Sequence, residues 1–223
     1  YNFKAPVRIW SVDAQYMNRW VVARANVIQG RLSNSSRVSD KNSKLSNLSP
    51  YARTAPVAEK AVSYLMQFPA LGIDTETRPC FQKGKSYIVS LLQVSTADTC
   101  FLFRLNHIGL PQSILSLLQS EKILKIGLSL HDDFHALQKR AEIKPSCYVD
   151  LQKMVGQFGI QEASLQKIYA ILFGKKISKR QRLTNWEADV LSEPQKRYAA
   201  LDAWACLHIY NYLNQATFES QIE

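Results

Sequence analysis

Apolar side chains recur at helical spacing from Pro56 to Phe68; Pro56 fits a first helical turn and Pro69 stops the run. Ala70 to Glu76 then reads as a short strand. Tyr87 to Ser95 (YIVSLLQVS) and Cys100 to Leu105 are rich in β-formers, and the polar turn Thr96 to Thr99 between them predicts an antiparallel meander. After it the pattern alternates: helix Pro111 to Gln119, strand Ile123 to Leu128, helix Asp132 to Arg140, strand Tyr148 to Leu151, then helices from Leu151, Ser164 and Glu193. Three strands followed by alternating α and β units predict an α/β domain, a mixed sheet flanked by helices.

The first fifty residues follow other rules. Ser33 to Ser49 holds seven serines and three asparagines, too little apolar surface to order itself, and reads as a linker. Upstream, Ser11 is placed to cap a helix near residues 11–29, with Met17, Trp20, Val21 and Ile28 on one side, a stripe that docks on the main domain or binds a partner. The expected division is a basic extension over 1–50 and a folded domain over 51–223.

With 223 residues, 46% of them hydrophobic, the chain can bury a real core, which excludes wholesale disorder. No run approaches the roughly 18–20 apolar residues needed to cross a bilayer, and no leader with a cleavage site opens the chain. The expectation is an intracellular, cytoplasmic protein without a membrane partner; Tyr1 in place of Met points to a trimmed start. Cys80, Cys100, Cys147 and Cys206 form no CxxC pair and are expected to be free, mostly buried thiols. The net charge of +10 suits a polyanionic partner. Yet residues 1–60 hold ten Lys and Arg against three acids, and the remainder eighteen against fifteen, so most of the bias lies outside the folded part.

Three stretches can carry chemistry. In Gly72 to Thr77 (GIDTET), Asp74 and Glu76 stand two apart on a strand and project to one face. Paired carboxylates repel unless a cation neutralises them, and hard divalent ions favour such oxygens; the plainer alternative is a strand end entering solvent. In residues 124–137 (LKIGLSLHDDFHAL), a strand runs into an amphipathic helix that either Asp132 or Asp133 would cap, leaving the other for a metal. His131 and His135 lack the further ligands that a zinc site needs. In residues 193–213, Tyr198 and Asp202 are four apart on one helical face, which lets a phenol hold a water beside a carboxylate, or makes them an ordinary surface pair.

Taken together, GIDTET, the strand-to-helix element with Asp133, and Tyr198-x-x-x-Asp202 resemble the DEDD superfamily of 3′–5′ exonucleases, in its tyrosine-bearing branch with ribonuclease D and Werner-type exonuclease domains. The resemblance spans about residues 55–215 and takes in the SLLQVS strand with Gln93 and Tyr148 to Leu151 with Asp150. The strings TNWEADVL and RYAALDAWACLHIY are most similar to stand-alone bacterial members. It implies an RNase H-like mixed five-stranded sheet, antiparallel meander plus parallel strands. It also implies two divalent metal ions, Mg²⁺ or Mn²⁺, and hydrolysis of terminal phosphodiesters at single-stranded nucleic acid 3′ ends to nucleoside 5′-monophosphates. Asp74, Glu76 and Asp202 would hold one ion, with Asp74 bridging to the second and Asp133 acting partly through water. Tyr198 would orient the attacking water, and Asp150 is expected to be structural.

Lys175, Lys176, Lys179, Arg180 and Arg182 cluster in GKKISKRQR ahead of the YxxxD helix, and Lys83 and Lys85 follow the acidic strand. Both groups are expected to steer phosphates, unless they are simply solvated loops. Gly84, Lys85 and Ser86 resemble the end of a P-loop, but Pro79 occupies the earlier glycine position, so no nucleotide triphosphate is expected. The competing functions are a binding module on the same fold that lacks turnover and an RNase H-like endonuclease.

Overall fold

The structure is a computed structural model that describes the backbone of residues 8–12 and 55–219 and the side chains of residues 57–215. Helix α1 (Ala55–Leu65) opens the main domain, burying Ala58, Ala61, Val62 and Leu65 on one stripe. Strands β2 (Ala70–Thr77), β3 (Val89–Ser95) and β4 (Thr99–Phe103) form the antiparallel meander. Short helices α2 (Leu105–Ile108) and α3 (Gln112–Leu118) lead to β5 (Leu124–Gly127), helix α4 (Leu130–Gln138) and β6 (Tyr148–Asp150). A short helix α5 (Leu151–Met154), a 3₁₀ turn (Val155–Phe158), α6 (Leu165–Phe173) and the long α7 (Glu193–Glu219) complete the order.

The mixed five-stranded sheet is present, with β5 and β6 added in parallel beside β2. A sixth strand, β1 (Arg8–Val12), pairs in parallel with the outer edge of β4, giving the order β1-β4-β3-β2-β5-β6. Ser11 therefore belongs to a strand and caps no helix; the parallel pairing of Arg8–Val12 satisfies the edge hydrogen bonds of β4. The rest of the expected helix near 11–29, and the linker Ser33 to Ser49, lie outside the described residues.

Two apolar layers cover the sheet. Leu71 and Ile73 of β2, Leu92 and Val94 of β3, and Phe101 and Phe103 of β4 face α1, α3 and α4. The alternate residues Leu91, Cys100 and Leu102 face α7, which packs across the sheet with Ala199, Ala200 and Ala203. A capping box starts α7: the Ser192 backbone N–H donates to Gln195 Oε1, and the Gln195 backbone N–H donates to Ser192 Oγ. Trp204 Nε1 donates to Ala97 O at 2.9 Å, fixing α7 to the β3–β4 turn. Cys100 and Cys206 are buried, whereas Cys80 is half-buried and Cys147 exposed, fewer buried thiols than the sequence suggested.

Candidate active site

Alternation along β2 sends Gly72, Asp74 and Glu76 toward α7 and Thr75 to the opposite face. A side chain at Gly72 would collide with the α7 backbone, since a Cβ there falls 2.0 Å from Ala203 O. That bare glycine lets the helix approach the strand, and the next residue back along the helix is Asp202. Among the described residues, Asp74, Glu76 and Asp202 each bring a carboxylate oxygen within 4.8 Å of the others. Asp202 is 3% exposed and its Oδ1 has no hydrogen-bond partner, so part of this acid is buried and unsatisfied.

Burial and mutual repulsion hold these acids well above the usual carboxylate range. Asp74 rises to about 7, driven by burial and partly relieved by the Thr75 backbone N–H. Glu76 rises to about 10, through burial and then the charges of Asp74, Asp202 and Asp133, relieved by Arg182. Asp202 is raised by burial and Asp74, and relieved by a hydrogen bond from Tyr198 and by the Lys179 charge. The Tyr198 phenol is pushed up by burial and by Asp202 and Glu76, so it stays protonated and donates. An all-oxygen set carrying several negative charges, with one buried oxygen orphaned, fits a hard divalent cation.

Asp133 stands outside the cluster of three. It lies in the first turn of α4, and its Oδ1 accepts a hydrogen bond from Thr75 Oγ1 at 2.5 Å. Burial and the Asp74 charge raise its pKa, which puts it beside the same acids. Neither Asp132 nor Asp133 is the cap of α4: Ser129 holds that position in a left-handed conformation (φ 57°). Asp150 Oδ1 accepts from the Ser129 and Gln152 backbone N–H groups, both at 3.0 Å. It thereby caps α5 and pins the turn that delivers Asp133.

The basic residues separate into two groups. Lys175, Lys176, Lys179, Arg180 and Arg182 are all exposed on the segment between α6 and α7, but the Lys179 and Arg182 charges act on Asp202 and Glu76. Trp186 anchors this segment: fully buried, it packs 6.1 Å from the Tyr198 ring and donates to Arg182 O. Lys83 and Lys85 are exposed on the loop after β2. That loop is held at its base by the Arg78–Glu187 ion pair at 3.2 Å. Thr75, Gly72 and the Ser192–Gln195 box escaped sequence reasoning. Alternation places Thr75 on the far face, and nothing local shows that Asp133 waits there.

A sequence profile of the 3′–5′ exonuclease family matches residues 51–217. The chain belongs to that family. Among its relatives, a 3′-5′ exonuclease of Arabidopsis thaliana is 28% identical over 179 residues, covering 73% of this chain and 62% of that protein. The chain spans less than two thirds of the length of the curated relatives it matches first. The exonuclease fold is also seen in the EXO domain of Aedes aegypti Nibbler, at a TM-score of 0.67 and 23% identity, covering 76% of this chain and 88% of that one. Brucella melitensis NrnC with bound Mg²⁺ shares it at a TM-score of 0.55 and 24% identity, covering 70% of this chain and 76% of that one. Within this exonuclease fold, the acids lie where α7 crosses β2. No helix among the described residues is long and apolar enough to cross a membrane.

Proposed function

We propose that the protein is a divalent-metal-dependent 3′–5′ exonuclease that hydrolyses the terminal phosphodiester of single-stranded RNA or DNA and releases nucleoside 5′-monophosphates. The observation that carries this reading is the convergence of Asp74, Glu76 and Asp202 within 4.8 Å, with Tyr198 hydrogen-bonded to Asp202. Those three acids would hold a divalent ion, with Asp133 contributing to a second. Bound there, Mg²⁺ or Mn²⁺ would neutralise the acids and polarise the scissile phosphate.

The chain's own groups do the rest. The raised phenol of Tyr198 keeps its proton across the neutral range and so removes none from the attacking water; its hydrogen goes to Asp202, which leaves the phenol oxygen to accept from that water and orient it. Lys179 and Arg182, exposed and close enough to act on the acids, draw the terminal phosphate toward them against the negative field. Lys83, Lys85, Lys175, Lys176 and Arg180 extend that attraction along the strand, contacts that position a polymer without reading its sequence.

The test uses 5′-labelled RNA and DNA with Mg²⁺ or Mn²⁺. A ladder shortening from the 3′ end, abolished by chelator and by Asp74→Ala, is the expected result, with a covalently closed circle left whole. Cutting of the circle would show an endonuclease; binding without any product would show a binding module.

A further inference from the structure

Gln93 is fully buried, and neither its amide nitrogen nor its amide oxygen has a hydrogen-bond partner. An unsatisfied buried group costs about 1–3 kcal/mol, so an aliphatic side chain would serve the core better unless the amide has a task. Its neighbours narrow that task. On the α7-facing side of the sheet, Gln93 lies between Leu91 and Ser95 along β3, opposite Leu102 of β4 and opposite Asp74 of β2. The two leucines carry no polar atom, and the Ser95 hydroxyl already donates to Thr96 O at 2.8 Å. The same cluster holds Ala199 and Ala203 of α7, together with Tyr198, whose hydroxyl is given to Asp202, and Cys100, whose thiol donates to Phe101 O. Asp74 is the polar neighbour that remains, and directly opposed residues in antiparallel strands have Cβ atoms about 4.5–5.5 Å apart. An amide is long enough to meet a carboxylate across that gap.

We propose that Gln93 is a positioning residue for Asp74: its Nε2 donates to one carboxylate oxygen and turns the other toward Glu76 and Asp202 when a divalent ion enters. This inference rests on the metal-dependent reading above and adds the residue that orients the central acid. Partners of this kind behind a metal ligand typically contribute 10–100-fold to metal affinity. That partnership gives the buried amide its task.

The test compares the wild-type protein with Gln93→Met, close in size and free of both orphaned groups. Mn²⁺ is titrated calorimetrically into the chelator-stripped proteins, and thermal unfolding is followed in chelator. The expected result is an unfolding midpoint equal to or above wild type together with a Mn²⁺ Kd raised 10–100-fold. A purely packing role would move the midpoint and leave the Kd alone, so equal Mn²⁺ affinity in the two proteins overturns the inference. If Gln93→Met does not fold, Gln93→Asn, which withdraws the amide by one methylene, is measured in the same way: weaker Mn²⁺ binding supports the role and wild-type affinity overturns it. Failure of the wild type itself to take up Mn²⁺ overturns the metal-dependent reading, and this inference with it.

Discussion

Replacing Asp74 by Asn should make the metal-free protein more stable at alkaline pH while destroying its response to metal. The Asp74 carboxyl sits at about 7 in the fold against an ordinary value of 3.8. The folded chain therefore holds this proton more tightly than the unfolded chain. Between pH 4 and 7 the native state carries the extra proton, so stability falls as pH rises through that window and the full cost is present above it. At about 1.4 kcal/mol per pH unit, the displacement amounts to roughly 4 kcal/mol. Asparagine keeps the shape without the charge and also eases Glu76 and Asp202, both of which are raised in part by Asp74. In chelator at pH 8, Asp74→Asn should gain about 2–4 kcal/mol, or roughly 4–16 °C in Tm for a domain of this size. At pH 4 the two proteins should melt together. Saturating Mn²⁺ should reverse the order at pH 8, because a ligand at about 1,000 times its Kd adds roughly 4 kcal/mol to the protein that binds it. Thermal unfolding by circular dichroism at the two pH values, with chelator and with Mn²⁺, supplies the comparison. A variant less stable than wild type in chelator at pH 8, or an offset that ignores pH, would show that the Asp74 charge does not strain the fold.

Three further outcomes follow from the same geometry. Gly72→Ala places a methyl group against Ala203 O, a backbone atom that no rotamer change can clear; α7 must shift, at a cost of about 1–3 kcal/mol by denaturant titration and about 100-fold in kcat. Tyr198→Phe keeps the ring packed against Trp186 and removes only the hydroxyl; nuclease kinetics should show kcat down about 100-fold, and calorimetry Mn²⁺ affinity close to wild type. The double variant Lys179→Ala, Arg182→Ala should bind single strands more weakly, and the slope of log affinity against log salt should become shallower by about 1.4 for two lost phosphate contacts; an unchanged slope would remove these side chains from the substrate path.

The order of elements was legible because burial imposes different periods on helices and strands. The GIDTET strand and the Glu193 helix were readable for that reason, and their acids fall on the faces that alternation and the 3.6-residue turn require. Strand β1 was not readable: an edge strand gains its partner only from β4, and five residues carry too little pattern of their own. The cap of α4 was not readable because Ser and Asp are about equally good capping residues, and Ser129 takes the position in a left-handed turn secured by Asp150 from a strand 21 positions away. Convergence itself is tertiary information. Gly72, unremarkable in sequence, decides how near Asp202 comes to Asp74, and nothing before the fold shows that Lys179 and Arg182, among seven candidate cations, are the ones whose charge the acids feel.

If Asp74, Glu76 and Asp202 form one divalent-metal centre, a metal ion must be found among their carboxylates. Crystals soaked in Mn²⁺ and measured at the manganese absorption edge test it most directly. Anomalous density is expected among the carboxylates of Asp74, Glu76 and Asp202, and is lost in the Asp74→Ala protein. An active enzyme whose manganese density lies elsewhere, with these three carboxylates bare, would contradict it.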